Sequence, residues 1–283
     1  MTIEKQNKKR ISSSAVILIT AAATFLLLAA VIIIFLITGN RKAEPDPGIS
    51  IVPNISVTFS KLDKSRFHKE KDIISYSDGV KQSKAGIDVS FAQKEIDWNK
   101  VKASGVDFAM IRAGYRGYET GRINLDEFFH KNMKGALDAG IETGVYFFSQ
   151  AVNETEAIEE AEFVLGLIDG YNVTYPVAFD WETVSAGEAR TDGISADALN
   201  RCAHAFCRTV ENRGYRPVIY ASLNLLREKF DKYSIDNISD YDLWLAEYKN
   251  RPEFPYQFSM WQYTDEGIID GISYPTDLNI YIE

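Results

Sequence analysis

The sequence predicts an α/β protein whose outer part is an irregular (β/α) TIM-like barrel preceded by a single transmembrane helix. Three observations carry this expectation. Ala15 to Thr38 is a run of 24 positions without a charge, Pro, Gly, Asn or Gln. From about residue 84 onward, short apolar runs alternate with amphipathic helical windows, the pattern of βα units around a largely parallel sheet. No Gly-rich phosphate loop follows the first of those runs, which favours a closed barrel over an open dinucleotide-binding sheet.

Residues 1–14 form a basic tail containing Lys5, Lys8, Lys9 and Arg10. Residues 15–38, as a helix, would be about 36 Å long against roughly 30 Å of hydrocarbon, and they exceed the roughly 7 to 15 apolar residues of a secretory signal. Only Arg41 and Lys42 follow before Glu44 and Asp46, so the positive-inside bias keeps the N-terminus cytoplasmic and puts the rest outside the cell membrane. Residues 39–83, with Pro45, Pro47, Pro53 and a lysine-rich stretch from Lys61 to Lys71, read as a stalk or linker. Within it, Ile49 to Phe59 alternates enough to be a strand.

Residues 84–283 read as one outer domain. Its expected strands lie near Gly86–Val89, Phe108–Arg112, Gly144–Phe148, Pro176–Trp181, Pro217–Tyr220, Leu243–Ala246 and Phe258–Tyr263. Leu125, Phe128, Phe129, Met133, Ala136 and Leu137 follow helical spacing, as do Ala157, Ile158, Ala161, Val164, Leu165 and Ile168. Asn153 with Glu156 makes a capping-box start for the second helix, and Gly170 closes it. After Leu243 strands follow without long helices, so the barrel is expected to be irregular there.

Charge divides along the same boundary. Through Ser83 there are 12 Lys/Arg and 7 Asp/Glu, whereas from Lys84 onward there are 19 and 33, so a basic N-terminal part precedes an acidic domain. That balance argues against nucleic acid or anionic lipid as the outer domain's ligand. The two cysteines, Cys202 and Cys207, are five apart in a helical segment and point to different sides of it, which argues against a disulfide. His68, His130 and His204 are scattered, so neither a metal nor any other cofactor is expected.

The most informative motif is Tyr175-Pro-Val-Ala-Phe-Asp-Trp-Glu182, an apolar run ending in two acids. Residues two apart on a strand share a face, so Asp180 and Glu182 point the same way. Adjacent carboxyls repel, which suits chemistry needing one protonated and one charged, and glycosidic cleavage uses such a pair most directly. The plainer alternative is that both acids cap the strand and pair with a nearby Arg. Other strand ends supply Asp88, Arg112, Tyr146 and Tyr220, followed by Glu247, Trp261-Gln-Tyr263 and Asp277-Leu-Asn279. Barrels of this kind gather their sites at those ends.

Four landmarks in order, Gly86-Ile-Asp-Val-Ser90, Phe179-Asp-Trp-Glu182, Trp261-Gln-Tyr263 and Asp277-Leu-Asn279, make the region from about Ala85 to Glu283 resemble glycoside hydrolase family 25, lysozymes of the muramidase type. The resemblance implies a groove for the peptidoglycan glycan strand and hydrolysis of the bond between N-acetylmuramic acid and N-acetylglucosamine. It also implies Glu182 as general acid, Asp180 as its partner carboxylate, and Asp88 and Asp277 as flanking acids. Tyr146, Tyr220 and Trp261 fall where the family contacts sugar, and Arg112 reads as a partner of the groove acids. Many members carry a His after the tyrosine of the third strand, where this chain has Phe147. Burial and neighbouring acids should make Glu182 titrate high while Asp180 stays ionised.

A chitinase-like hydrolase of glycoside hydrolase family 18 also ends its motif in Asp-x-Glu. It needs further aspartates where this chain has Ala178 and Tyr175. A catalytically silent, membrane-tethered glycan-binding barrel is the other alternative, and such barrels usually lack the acid.

Overall fold

The computed structural model describes residues 59–185, 187–228 and 240–283. The expected transmembrane helix, 15–38, and the basic tail lie outside the described residues. Among those that are described, no helix is long and apolar enough to cross a membrane.

Eight strands close a barrel: β3 (Ser83–Val89), β4 (Phe108–Arg116), β6 (Glu142–Ser149), β7 (Val173–Trp181), β8 (Pro217–Ser222), β9 (Asp242–Ala246), β10 (Met260–Gly267) and β11 (Thr276–Ile282). From β3 round to β10 each neighbour runs parallel, and β11 closes the ring antiparallel to both β10 and β3. Two smaller pieces stand outside it, a hairpin of β1 (Phe67–Glu70) with β2 (Ile73–Tyr76), and β5 (Ile123–Leu125) folded back on β4. At the floor of the barrel Gln82 and Glu283 exchange both backbone hydrogen bonds, at 3.2 and 2.9 Å.

Helices fill the parallel crossovers as far as β9, the one from β9 to β10 having none: α1 (Trp98–Ala103), α2 (Phe129–Asp138), α3 (Glu154–Ile168), α4 (Ala196–Asn212) and α5 (Leu223–Glu228). The start of α3 is as the capping residues suggest, with Asn153 Oδ1 accepting from Glu156 N at 3.0 Å. The Glu156 carboxylate reaches back to Val152 N instead of Asn153 N. Helix α4 starts at Ser195, whose hydroxyl accepts from Ala198 N. It buries Leu199, Cys202, Phe206, Cys207 and Val210, and both cysteines are free. Helix α2 begins later than its spacing suggests, because Leu125 pairs with Gly114 in the sheet. Asp126 then turns the chain, its Oδ1 accepting from Phe128 N.

The barrel interior is a separate apolar layer of Phe108, Met110, Tyr146, Tyr175, Ala178, Val218, Tyr220, Trp244, Ala246 and Met260. Phe108 and Tyr175 stack at its base, centroids 4.3 Å apart. This explains the glycine of the first motif: a Cβ on Gly86 would come within 2.2 Å of the Phe108 ring.

No helix joins β10 to β11, so that side of the wall has no crossover helix to cover it. Residues 59–76 cover it instead. Phe67 meets Trp261 edge-on at 5.5 Å, Ile74 and Tyr76 are buried, and Ile74 N donates to Tyr263 Oη at 3.2 Å. The linker boundary expected at Ser83 is therefore corrected: residues 59–83 are part of the folded wall. Lys61, Lys64, Lys69 and Lys71 are all exposed, so the segment looks like a polar linker in sequence while Ile74 and Tyr76 are buried against the wall.

Candidate active site

Side-chain alternation sends every second residue of each strand into the barrel, and the polar ones gather at the C-terminal ends of the parallel strands. Asp88 sits opposite Asp277, Tyr220 lies beside both Asp180 and Trp244, and Arg112 lies beside Tyr146. Glu182 follows the last residue of β7.

A directed set of hydrogen bonds converges on Asp88. Its Oδ2 accepts from Gln262 Nε2 at 2.9 Å and from Asn279 Nδ2 at 2.8 Å. Gln262 Oε1 in turn accepts from the hydroxyls of Tyr220 and Tyr248, both at 3.0 Å. Trp244 Nε1 donates to Asn279 Oδ1 at 2.8 Å. Burial pushes Asp88 up to about 6, while the amides of Asn279 and Gln262 stabilise its anion and limit the rise. Asp277, enclosed and facing Asp88 and Asp265, is pushed up to about 9.

Asp180 and Glu182 form a coupled pair. Asp180 is 5% exposed and its Oδ1 has no hydrogen-bond partner among the described residues. Burial first, then the charges of Glu182 and Asp88, raise it well above the usual carboxylate range, with Arg112 opposing. Glu182 is raised by burial and by Asp88, and a hydrogen bond with Asp180 holds it back. The expectation of a high Glu182 fits this geometry. That of a simply ionised Asp180 does not, because Asp180 is the more enclosed of the two. Burial and the surrounding acids thus favour the neutral form of both carboxyls.

Tyr146 and Tyr220 stand in the cleft, and burial raises both phenols, helped by the acids around them. Arg112 lies at the cleft but its direct partner is Asp126, with Nε and Nη2 each 2.8 Å from Oδ2, and it reaches Asp180 only through its field. Its guanidinium lies 4.9 Å from the Phe91 ring centroid. Trp261 is not in the cleft. It is 0% exposed, points out of the barrel into the layer behind the wall, and donates to Glu247 O at 2.8 Å. Alternation accounts for the correction: Gln262 faces inward, so its neighbour Trp261 faces outward. Phe147 likewise lies behind the wall against Phe163.

Two aromatic residues of the site were not singled out from the sequence. Trp244 forms the floor below Tyr146 and Tyr220, ring centroids 6.0 and 5.0 Å away. Tyr248, 50% exposed, presents its ring at the mouth. Alternation through Trp244, Ala246 and Tyr248 was the available signal. Among the described residues no group of three or more His, Cys, Asp or Glu is arranged to hold a metal ion.

Comparison with known proteins agrees with this geometry. A family model described as glycosyl hydrolases family 25 matches residues 87–272. The autolytic lysozyme of Clostridium acetobutylicum is 29% identical over 199 residues, 70% of this chain and 56% of that protein. The modular autolysin LytC from Streptococcus pneumoniae, solved with a synthetic peptidoglycan ligand, superposes with a TM-score of 0.64 at 26% identity over 81% of this chain and 53% of that one. The fold also matches a bacterial lysozyme from Streptomyces coelicolor, with a TM-score of 0.56 at 24% identity over 70% of this chain and 91% of that one. The match thus spans only about half of the clostridial and pneumococcal proteins.

Proposed function

Because the chain belongs to glycosyl hydrolases family 25, we propose that it is a peptidoglycan hydrolase of the lysozyme type, cleaving the β-1,4 bond between N-acetylmuramic acid and N-acetylglucosamine. The observation that carries this is the close pair of enclosed carboxyls, Asp180 and Glu182, at the open end of the barrel, flanked by Asp88 and Asp277. A glycosidic oxygen is a poor leaving group until it is protonated, and a carboxyl that keeps its proton near neutral pH supplies that step.

In the productive form of the pair, Glu182 carries the proton and Asp180 the charge. Glu182 protonates the departing oxygen as its bond to the anomeric carbon breaks, and Asp180 faces the positive charge that develops on the sugar ring. A water then adds to that carbon, its released proton restoring the Glu182 carboxyl. Asp88, its anion held by two amide donors, disfavours a second charge beside it and so keeps the proton on the pair. The half-exposed ring of Tyr248 offers a face for a sugar at the mouth.

The apolar run 15–38 and the basic residues before it support a membrane-tethered enzyme with its barrel outside the cell. A tethered hydrolase reaches only nearby glycan, which suits local remodelling of the wall. Protease access to a C-terminal reporter on intact cells tests this topology, and a protected reporter refutes it.

Activity is tested with the full chain in a peptidoglycan zymogram. Clearing by the wild type and a loss of about 10² to 10⁴ in rate for Glu182→Gln support hydrolysis. No clearing by either leaves a glycan-binding barrel. Mass spectrometry of the products identifies the bond: reducing muramic acid ends support the muramidase reading, and reducing N-acetylglucosamine ends reject it.

A further inference from the structure

We propose that Gln150 is a positioning residue for Glu182, holding the main chain just beyond β7 so that the acid stays aimed into the cleft. This rests on Glu182 being the proton donor.

The ladder between β6 and β7 stops at the pair Ser149 and Trp181. Glu182 is the next residue, so its carbonyl has no strand partner in that ladder. Gln150, the residue after Ser149, supplies one with its side chain: Nε2 donates to Glu182 O at 2.8 Å and to Ser149 O at 2.9 Å. The carboxamide adds a rung where the backbone ladder has ended. Its orientation is fixed, because carbonyls only accept, and its Oε1 takes a hydrogen bond from Thr191 Oγ1 at 2.7 Å.

Gln150 is 0% exposed. A buried amide costs stability unless its polar atoms are paired, and its side-chain partners are main-chain carbonyls at the site and one hydroxyl of the loop that follows Glu182. That loop is itself clamped. Arg190 donates to Gln150 O at 2.9 Å and grips the Glu156 carboxylate at 2.6 and 2.7 Å. Arg190 N donates to Tyr118 O at 2.9 Å, tying in the β4–β5 connection. The chain on both sides of Glu182 is thereby fixed to elements outside the cleft. A displacement of about 1 Å at a reacting group can cost about a hundredfold in rate, so this restraint bears on catalysis.

The test uses the full chain with Gln150→Leu, Gln150→Glu and Thr191→Val. It reads kcat and KM on soluble glycan fragments and follows the Glu182 carboxyl by ¹³C NMR titration. For Gln150→Leu, kcat should fall about tenfold or more with KM within about threefold, and the Glu182 titration should move from its wild-type position. Gln150→Glu should recover activity as the pH is lowered, because its neutral carboxyl can donate to the Glu182 carbonyl and its carboxylate cannot; Gln150→Leu should show no such recovery. A folded Gln150→Leu protein with wild-type kcat and an unmoved Glu182 titration overturns the proposal. If Gln150→Leu fails to fold, Thr191→Val decides on the same readouts, with a smaller loss of kcat expected and unchanged values overturning the claim. If the wild type cuts no glycan, the functional reading fails, and the Glu182 titration still decides the positioning claim.

Discussion

Trp244 Nε1 donates to Asn279 Oδ1 at 2.8 Å, and this fixes which way the Asn279 amide faces. The indole nitrogen can only donate, so it selects the amide oxygen and turns Nδ2 toward Asp88. A residue at the bottom of the cleft thereby helps to stabilise the anion of an acid beside it.

Asn279→Leu should therefore raise Asp88 further above its value of about 6, because a donor that stabilises the anion is lost. Trp244→Phe should move it in the same direction by less. Carboxyl ¹³C NMR titration reads both, and an Asp88 that falls or stays put would show that the network does not govern it.

Stability should decrease as pH rises. Asp88, Asp180, Glu182 and Asp277 are all raised in the folded state, so between their unfolded values near 4 and their folded values the native protein holds more protons than the unfolded chain. The stabilisation is complete below about pH 4 and is lost as pH climbs, ending near 9 for Asp277. Thermal midpoints across pH 4 to about 9 should fall, and Asp277→Asn should flatten the decline. A midpoint that rises over this window contradicts the assignment.

The two tryptophans should separate in function. Trp261→Ala removes a fully buried side chain and should cost about 3–5 kcal/mol in denaturant unfolding. Trp261→Phe should leave KM on glycan fragments near the wild-type value. Tyr248→Ala, at the open mouth, should raise KM with little change in unfolding. An increase in KM for Trp261→Phe in a folded protein would return that residue to the cleft.

Removing residues 1–83 should expose the outer face of the wall that Phe67, Ile74 and Tyr76 cover. Such a fragment should aggregate or melt well below a fragment starting at Asn54, as judged by size-exclusion chromatography and circular dichroism. Equal behaviour of the two would show that the hairpin is dispensable.

The core strands were legible because each is a short apolar run buried on both faces, and the carboxyl pair because alternation needs only local spacing. The hairpin at 67–76 was not, since it is stabilised by contacts with β10 and β11, nearly 200 residues away in sequence. Leu125 fits a helical period by chance, and what places it in a strand is its pairing with Gly114. Trp261 and Trp244 both sit in apolar runs, and telling cleft from core required the inward parity of their strands. The ionisation of Asp180 depends on how deeply the barrel encloses it, which no local motif states.

The mutual backbone bonds of Gln82 and Glu283 bring the barrel's first and last strands together at its floor, the face opposite the acids. A tag or fluorescent protein joined after Glu283 would therefore emerge on the side away from Asp88, Asp180, Glu182 and Asp277. Labelling at that point offers a way to follow the protein without obstructing the cleft.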